Sequence, residues 1–386
     1  MGKEYDLLLK GGTLIDPGSE TYGQKDLAIK QGRIASVRTY ISENHAYKVI
    51  DVSGLHVMPG LIDLHVHCYP PSPWTGDGFV EDAFCSQTGV TYAVDAGTTG
   101  AGNFELFRDN FIIPSTTRLK AYVHIANVGL SGPEKHGESM DLKHLDPEAT
   151  AAMILANPDY TIGVKVRQAE LQVGDSGLEP LRLAIRAAEI ANCHVMVHIG
   201  GGTDLEEALD MLRPGDVVTH CCHGGEPNII YEGHKVRRSV QNAYAREVIF
   251  DLGHGGGSFN FDVAERAIGE GYPPHTVSSD LHSSSYHITV KSLLEAMAKC
   301  MAVGMSLNDV VRATTINAAE VIGDGEEFGD LSNRAIADIT VLEVVDGKHV
   351  FSDVSGNERM GEFNLDPRHT IQQGKVIWSH PKNSEE

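Results

Sequence analysis

The chain has 386 residues, with 31 Lys and Arg against 53 Asp and Glu, so its formal net charge is −22 with neutral histidines. So acidic a surface repels phosphate backbones and anionic lipid, which excludes nucleic-acid binding through a general basic face and adhesion to a membrane by charge. Hydrophobic residues at 41% and charged residues at 22% suit a globular protein that buries a large core without disulfide or metal staples.

The opening Met1–Lys10 carries charge where a signal peptide would be apolar. No apolar run approaches the roughly 18 residues that cross a bilayer. The six cysteines include no C-x-x-C pair, and Cys221 and Cys222 are adjacent, so no disulfide framework is expected. These features predict a reduced, cytoplasmic protein.

Residues 1–58 read as short strands, Tyr5–Leu9, Asp26–Ile29, Arg33–Val37 and Lys48–Val52, punctuated at Gly11-Gly12, Asp16-Pro17-Gly18 and Gln31-Gly32. From Met58 the pattern changes. Apolar, β-rich runs occur at Leu61–His67, Val90–Asp95, Ala121–Ala126, Thr161–Arg167, His194–Ile199, Val217–His220, Val248–Leu252 and Thr276–Asp280. Helix-compatible stretches lie between them, among them Glu179–Ala191, Leu293–Val303 and Leu307–Ile322. Eight strands alternating with helices over residues 59–324 predict a (β/α)8 TIM barrel. Gly129–Pro147 is expected to be a loop at the barrel mouth. Strands return at Asp338–Leu342, His349–Ser352 and Lys375–Trp378. The expected architecture is an α/β barrel beside a small β-sandwich domain built from both termini, residues 1–58 and 325–386, with a frayed tail over 379–386.

The 19 histidines matter through their positions. His65 and His67 end the first barrel run, and residues i and i+2 of a strand share a face. They lie at the C-terminal end of the strand, where barrel active sites sit. His198, His220 and Asp280 close three further runs, and imidazole and carboxylate are ligands for zinc-like ions. Lys165 stands in Ile162–Arg167. An ammonium cannot bind a cation, but CO2 added to the amine gives a carbamate whose oxygens can bridge two ions. A structural salt bridge is the other reading of this lysine.

With those residues in view, the chain resembles the amidohydrolase superfamily in its binuclear form with a carboxylated lysine. The resemblance rests on P-G-L-I-D-L-H-V-H at Pro59–His67, then Lys165, His198, His220 and Asp280 in order. Asp6–Asp16, Thr314–Ala319 and Ala337–Val341 add to it. Within the superfamily the chain looks most like the dihydroorotase-like branch, and its amidohydrolase/deacetylase group. The resemblance implies two divalent ions, for which imidazole-rich ligation favours zinc. His65 and His67 would hold the more buried ion, His198 and His220 the other, and carboxylated Lys165 would bridge them. Asp280 would ligate the buried ion and act as the catalytic base, then acid. A hydroxide between the ions would be the nucleophile.

Arg167 shares the face of Lys165 and is a candidate clamp for a substrate carboxylate, or else the partner of an acidic neighbour. His254 and His223 are candidate substrate contacts from the barrel mouth, and His282 is either in the pocket or solvated. Tyr69, Pro70, Pro71, Pro73 and Trp74 are a candidate pocket wall, while Cys68 is expected in the core. The function these features favour is deacylation of a small N-acyl amino acid or an acylated α-hydroxy acid, cleaving amide or ester. The alternative is a dihydroorotase-like cyclic-amide hydrolase. A mononuclear deaminase is disfavoured by Lys165, and a non-catalytic relative by the full ligand set. The substrate is a small molecule, with no nucleic acid or membrane partner, and a homo-oligomer is expected from the resemblance.

Overall fold

The computed structural model describes residues 2–70, 81–131, 138–231 and 235–381. Pro71, Pro73 and Trp74 of the expected pocket wall lie outside the described residues. The N-terminal part contains β1 (Tyr5–Asp16), β2 (Thr21–Lys30), β3 (Arg33–Arg38), β4 (Ala46–Asp51) and β5 (His56–Pro59). The barrel strands are β6 (Leu61–Val66), β7 (Val90–Gly100), β8 (Arg118–His124), β9 (Thr161–Arg167), β10 (His194–His198) and β11 (Val217–Thr219). A short antiparallel pair, β12 (Ile230–Tyr231) and β13 (Lys235–Val236), precedes the barrel strand β14 (Ile249–Phe250). The chain ends with β15 (Ile339–Ser352), β16 (Glu358–Gln372) and β17 (Lys375–Ser379).

Both chain ends form one eight-stranded sheet in the order β17-β16-β15-β5-β1-β2-β3, with β4 paired to β1. Period-2 alternation buries both faces of it. Leu7 and Leu9 join one apolar cluster with Ile339 and Ile371, while Leu8 joins another with Ala28 and Ile41. The Gly11-Gly12 punctuation does not end β1. It is a bulge, with Gly11 at φ +77°, and the strand runs on to Asp16. The strand β16 escapes a sequence reading because Pro367 stands inside it. The ladder passes from His369 to Pro367 opposite Val341 and Leu342, so a bulge at Arg368 takes up the missing donor.

The second sheet is parallel, in the order β14-β11-β10-β9-β8-β7-β6. The eighth run, Thr276–Asp280, is not a regular strand. It still closes the barrel. Thr276 bridges Asp251 and Leu281 bridges Val66, while the amides of Leu252, His254 and Gly255 donate to the carbonyls of Thr276, Ser278 and Ser279. Its hydroxyl-rich side chains bind buried carboxylates instead of packing as an apolar strand. Ser279 donates through N and Oγ to Asp63, and Thr276 and Ser278 donate to Asp251.

Strand parity sets which side chains face the barrel axis. Val164 and Val166 of β9 and Val195 and Val197 of β10 pack outward in the main core, with Leu181, Ala184 and Ala188 of the helix Glu179–Ala191. Lys165, Arg167 and His198 are left on the other face. The expected helix Leu307–Ile322 is two helices, Leu307–Thr314 and Ile316–Ile322. Thr314 and Thr315 turn their hydroxyls back onto the carbonyls of Val310 and Val311, and the helix breaks there. No helix among the described residues is long and apolar enough to cross a membrane, and none of the six cysteines forms a disulfide.

Candidate active site

His65, His67, Lys165, Arg167, His198, His220, Asp280 and His282 line one cavity with Leu130 at the C-terminal ends of the barrel strands. His65 Nε2 lies 3.3 Å and His67 Nε2 3.2 Å from Asp280 Oδ1. Lys165 Nζ is 3.4 Å from His65 Nε2. The rings of His198 and His220 are 4.2 Å apart between centroids, and those of His65 and His220 are 5.1 Å apart.

Hydrogen bonding behind the imidazoles decides where their lone pairs point. Thr219 Oγ1 donates to Asp251 and therefore accepts from His65 Nδ1, at 2.9 Å. Thr98 Oγ1 donates to Asp95 and accepts from His67 Nδ1, at 2.7 Å. His220 Nδ1 donates to the Gly253 carbonyl at 2.6 Å. Each ring thus carries its proton on Nδ1 and offers an Nε2 lone pair. Burial holds His65 and His198 well below the usual imidazole range and His220 down at about 3, which keeps them neutral. Two imidazole Nε2 atoms and a carboxylate oxygen converge here, an arrangement that a cation stabilises. His65, His67 and Asp280 hold these atoms within 4.8 Å of one another. The donor set fits a divalent ion of the zinc type.

Burial also lowers the Lys165 amine to about 8. A larger neutral fraction is then present near neutral pH, the form that reacts with CO2. His220 and Asp280 both adopt left-handed backbone, φ +66° and +46°. That conformation is costly for residues with a side chain and persists where surrounding structure enforces it. Glycine permits the approach behind Asp280. A Cβ on Gly255 would stand 2.1 Å from Asp280 Oδ2.

The other candidates separate. Arg167 lines the cavity, yet its Nε donates to Glu138 Oε1 at 2.6 Å and its Nη2 to Glu138 Oε2, the acidic-neighbour arrangement. His254 is not at the mouth. It is fully buried, stacked on Phe259 with centroids 4.7 Å apart, and accepts from Lys299 Nζ at 3.1 Å. Its Nδ1 donates to the Gly255 carbonyl, so it supports the loop behind Asp280. His223 is buried and stands outside the cavity lining. His282 is in the lining, and its Nδ1 accepts from Ser284 and Ser285 at the start of the helix Ser283–Ile288. Cys68 is in the core, its amide donating to Asp95. The supporting carboxylates Asp63, Asp95 and Asp251 were not singled out in the sequence, although Asp63 precedes His65 by two and Asp251 lies next to the end of its apolar run.

An acid-and-imidazole cluster at the mouth of a parallel barrel, flanked by a sheet from both termini, defines a class of hydrolases. Residues 260–377 match the Amidohydrolase family. A deacetylase of Agrobacterium fabrum is 35% identical over 351 residues, covering 90% of this chain and 84% of that protein. A solved structure described as an adenine deaminase superposes with a TM-score of 0.89 at 31% identity, covering 98% of this chain and all of the other. One described as a dihydroorotase gives 0.87 at 31% identity, covering 97% of each chain. The chain belongs to the amidohydrolase superfamily, and is an enzyme of its hydrolase class.

Proposed function

We propose that the chain is a binuclear metal-dependent deacylase that cleaves an amide or ester of a small N-acyl amino acid or acylated α-hydroxy acid. The observation that carries this reading is the convergence of His65 Nε2, His67 Nε2 and Asp280 Oδ1, with Lys165 Nζ beside them and His198 and His220 across the cavity. His65, His67 and Asp280 would hold one ion and His198 and His220 the other. Lys165, as a carbamate formed from its amine and CO2 with loss of a proton, would bridge them.

When bound, such an ion pair supplies an activated water at neutral pH and polarises a carbonyl oxygen. The side chains do the rest. Asp280 Oδ1 faces the two imidazoles, which leaves Oδ2 to take the proton of the attacking water and deliver it to the leaving nitrogen or oxygen. Thr219, Thr98 and Gly253 hold the three rings in place through their Nδ1 protons. No serine or cysteine nucleophile is required.

Metal content and turnover together test this. Protein purified without chelator is expected to carry about two zinc-like ions per chain and to hydrolyse N-acyl amino acids or acyl-hydroxy acids. One ion per chain would turn the reading towards a mononuclear deaminase. None, even after reconstitution in bicarbonate, would end it. Cyclic-amide hydrolysis is the second reading, favoured by the neighbour described as a dihydroorotase. Turnover of dihydroorotate with no release of acyl groups would replace the first reading by the second.

A further inference from the structure

Glu138 is outside the cavity lining and 29 residues from Arg167 in sequence, but is packed against it. Its side chain is 7% exposed, and both its oxygens accept from the Arg167 guanidinium in the forked geometry that arginine uses to recognise a carboxylate. His124, at the end of β8, is the cross-strand neighbour of Lys165. Its Nδ1 accepts from the amide of Ala126, so the ring proton is on Nε2, 3.5 Å from Glu138 Oε1. Two donor groups on adjacent strand ends thus enclose one carboxylate. Burial lowers the His124 imidazole, leaving Arg167 as the cation of the group.

We propose that Arg167 and His124 form a seat for a substrate carboxylate, filled in the resting protein by the chain's own Glu138. The internal carboxylate competes with the substrate's and so sets specificity. An acyl compound with a free carboxylate must displace Glu138 from Arg167, while a neutral analogue meets no such competitor. The substrate class named here rests on the deacylase reading. The existence of the seat does not.

The test uses the full-length, metal-loaded protein and has two arms. In the first, kcat and KM are measured for an N-acetyl amino acid and its carboxamide. Glu138→Gln is expected to lower KM for the acid at least tenfold and to leave that for the amide within about twofold, with metal content unchanged. Equal changes for both substrates, or none, would overturn the proposal. Should this variant not fold, Glu138→Asp, which keeps the charge but withdraws it by a methylene, is expected to show the same selectivity at smaller amplitude. The second arm needs no turnover. Glu138→Ala is titrated with formate against a sodium chloride control, and Tm is read. A saturable rise with formate, absent in wild type, is expected because a ligand bound only to the folded state stabilises it. Equal responses to formate and chloride, or equal responses of variant and wild type, would sink the seat. Failure of acyl turnover with a positive formate arm would fault the deacylase reading alone.

Discussion

His67 Nε2 stands 3.2 Å from Asp280 Oδ1, joining the first strand of the barrel to the segment that closes it. The carboxylate is held on left-handed backbone with Gly255 behind it. Asp280→Asn keeps the shape and the contact but removes the proposed base. Turnover is expected to fall by about 10² to 10⁴-fold with Tm nearly unchanged. Rates within tenfold of wild type would remove Asp280 from its role.

Gly255→Ala adds one methyl where only 2.1 Å separates its Cβ from Asp280 Oδ2. The backbone there is at φ +51°, unfavourable for alanine. Displacing the base by about 1 Å is expected to lower kcat about 100-fold. A loss of Tm without loss of kcat in the surviving folded fraction would contradict that account.

Lys165→Ala removes the only amine among the described residues of the cavity lining. Metal per chain and activity are expected to fall together. Short carboxylic acids should restore part of both, since they can enter the space left by the proposed carbamate. Full metal content in this variant would show that the lysine is no bridge.

Lys299 is fully buried and donates to His254 Nε2 and the Thr289 carbonyl, with Glu295 beside it. Lys299→Met leaves those acceptors without their donor, at about 1–3 kcal/mol for a buried group. Urea unfolding of the metal-loaded protein should show destabilisation of about 2–4 kcal/mol. A change below about 0.5 kcal/mol would mean that the network holds nothing in place.

Burial, the largest influence on Glu138, pushes its carboxyl up, but the Arg167 guanidinium outweighs it and holds the group down at about 2. Its folded pKa is below its unfolded one, so the folded state binds fewer protons between them. The stabilisation is complete above the unfolded value and is lost as pH falls towards 2. The gap in unfolding free energy between wild type and Glu138→Gln is expected to be on the order of 3 kcal/mol at pH 6. It should narrow steadily as pH falls from about 4.5. A gap independent of pH would show that the pair is not ionised as described.

The cluster of histidines, Lys165 and Asp280 is legible in the sequence because each member lies at or within two residues of the end of a short apolar run, and strand parity carries it to one side. The support behind it is less legible. Thr219, Thr276 and Ser278 look like ordinary strand-end hydroxyls until the fold brings all of them onto Asp251. The pairing of Arg167 with Glu138 spans 29 residues with no shared motif. His254 misleads because a histidine in a glycine-rich loop resembles a substrate contact, while the lysine that buries it is 45 residues away. The barrel-and-terminal-sheet fold was readable from alternation and strand count. The closing segment lies where the run Thr276–Asp280 predicts it, but is held by isolated bridges, scattered backbone bonds and hydroxyl–carboxylate bonds rather than a regular ladder.

The strand β6, with His65 in it and His67 just past its end, is separated from β5 by Gly60 alone, and β5 is held between β1 and β15. The Leu61 amide donates to Thr340 Oγ1, which in turn donates to the Gly89 carbonyl. During synthesis, β1 to β5 leave the ribosome nearly 280 residues before β15. The strand β5 can pair early with β1, but its other edge must wait for β15, and such long-range pairing is slow and exposed to aggregation. Competence to load metal therefore arrives late in the life of the nascent chain. Stalled or C-terminally clipped molecules would carry every proposed ligand and still lack a settled place for the first two.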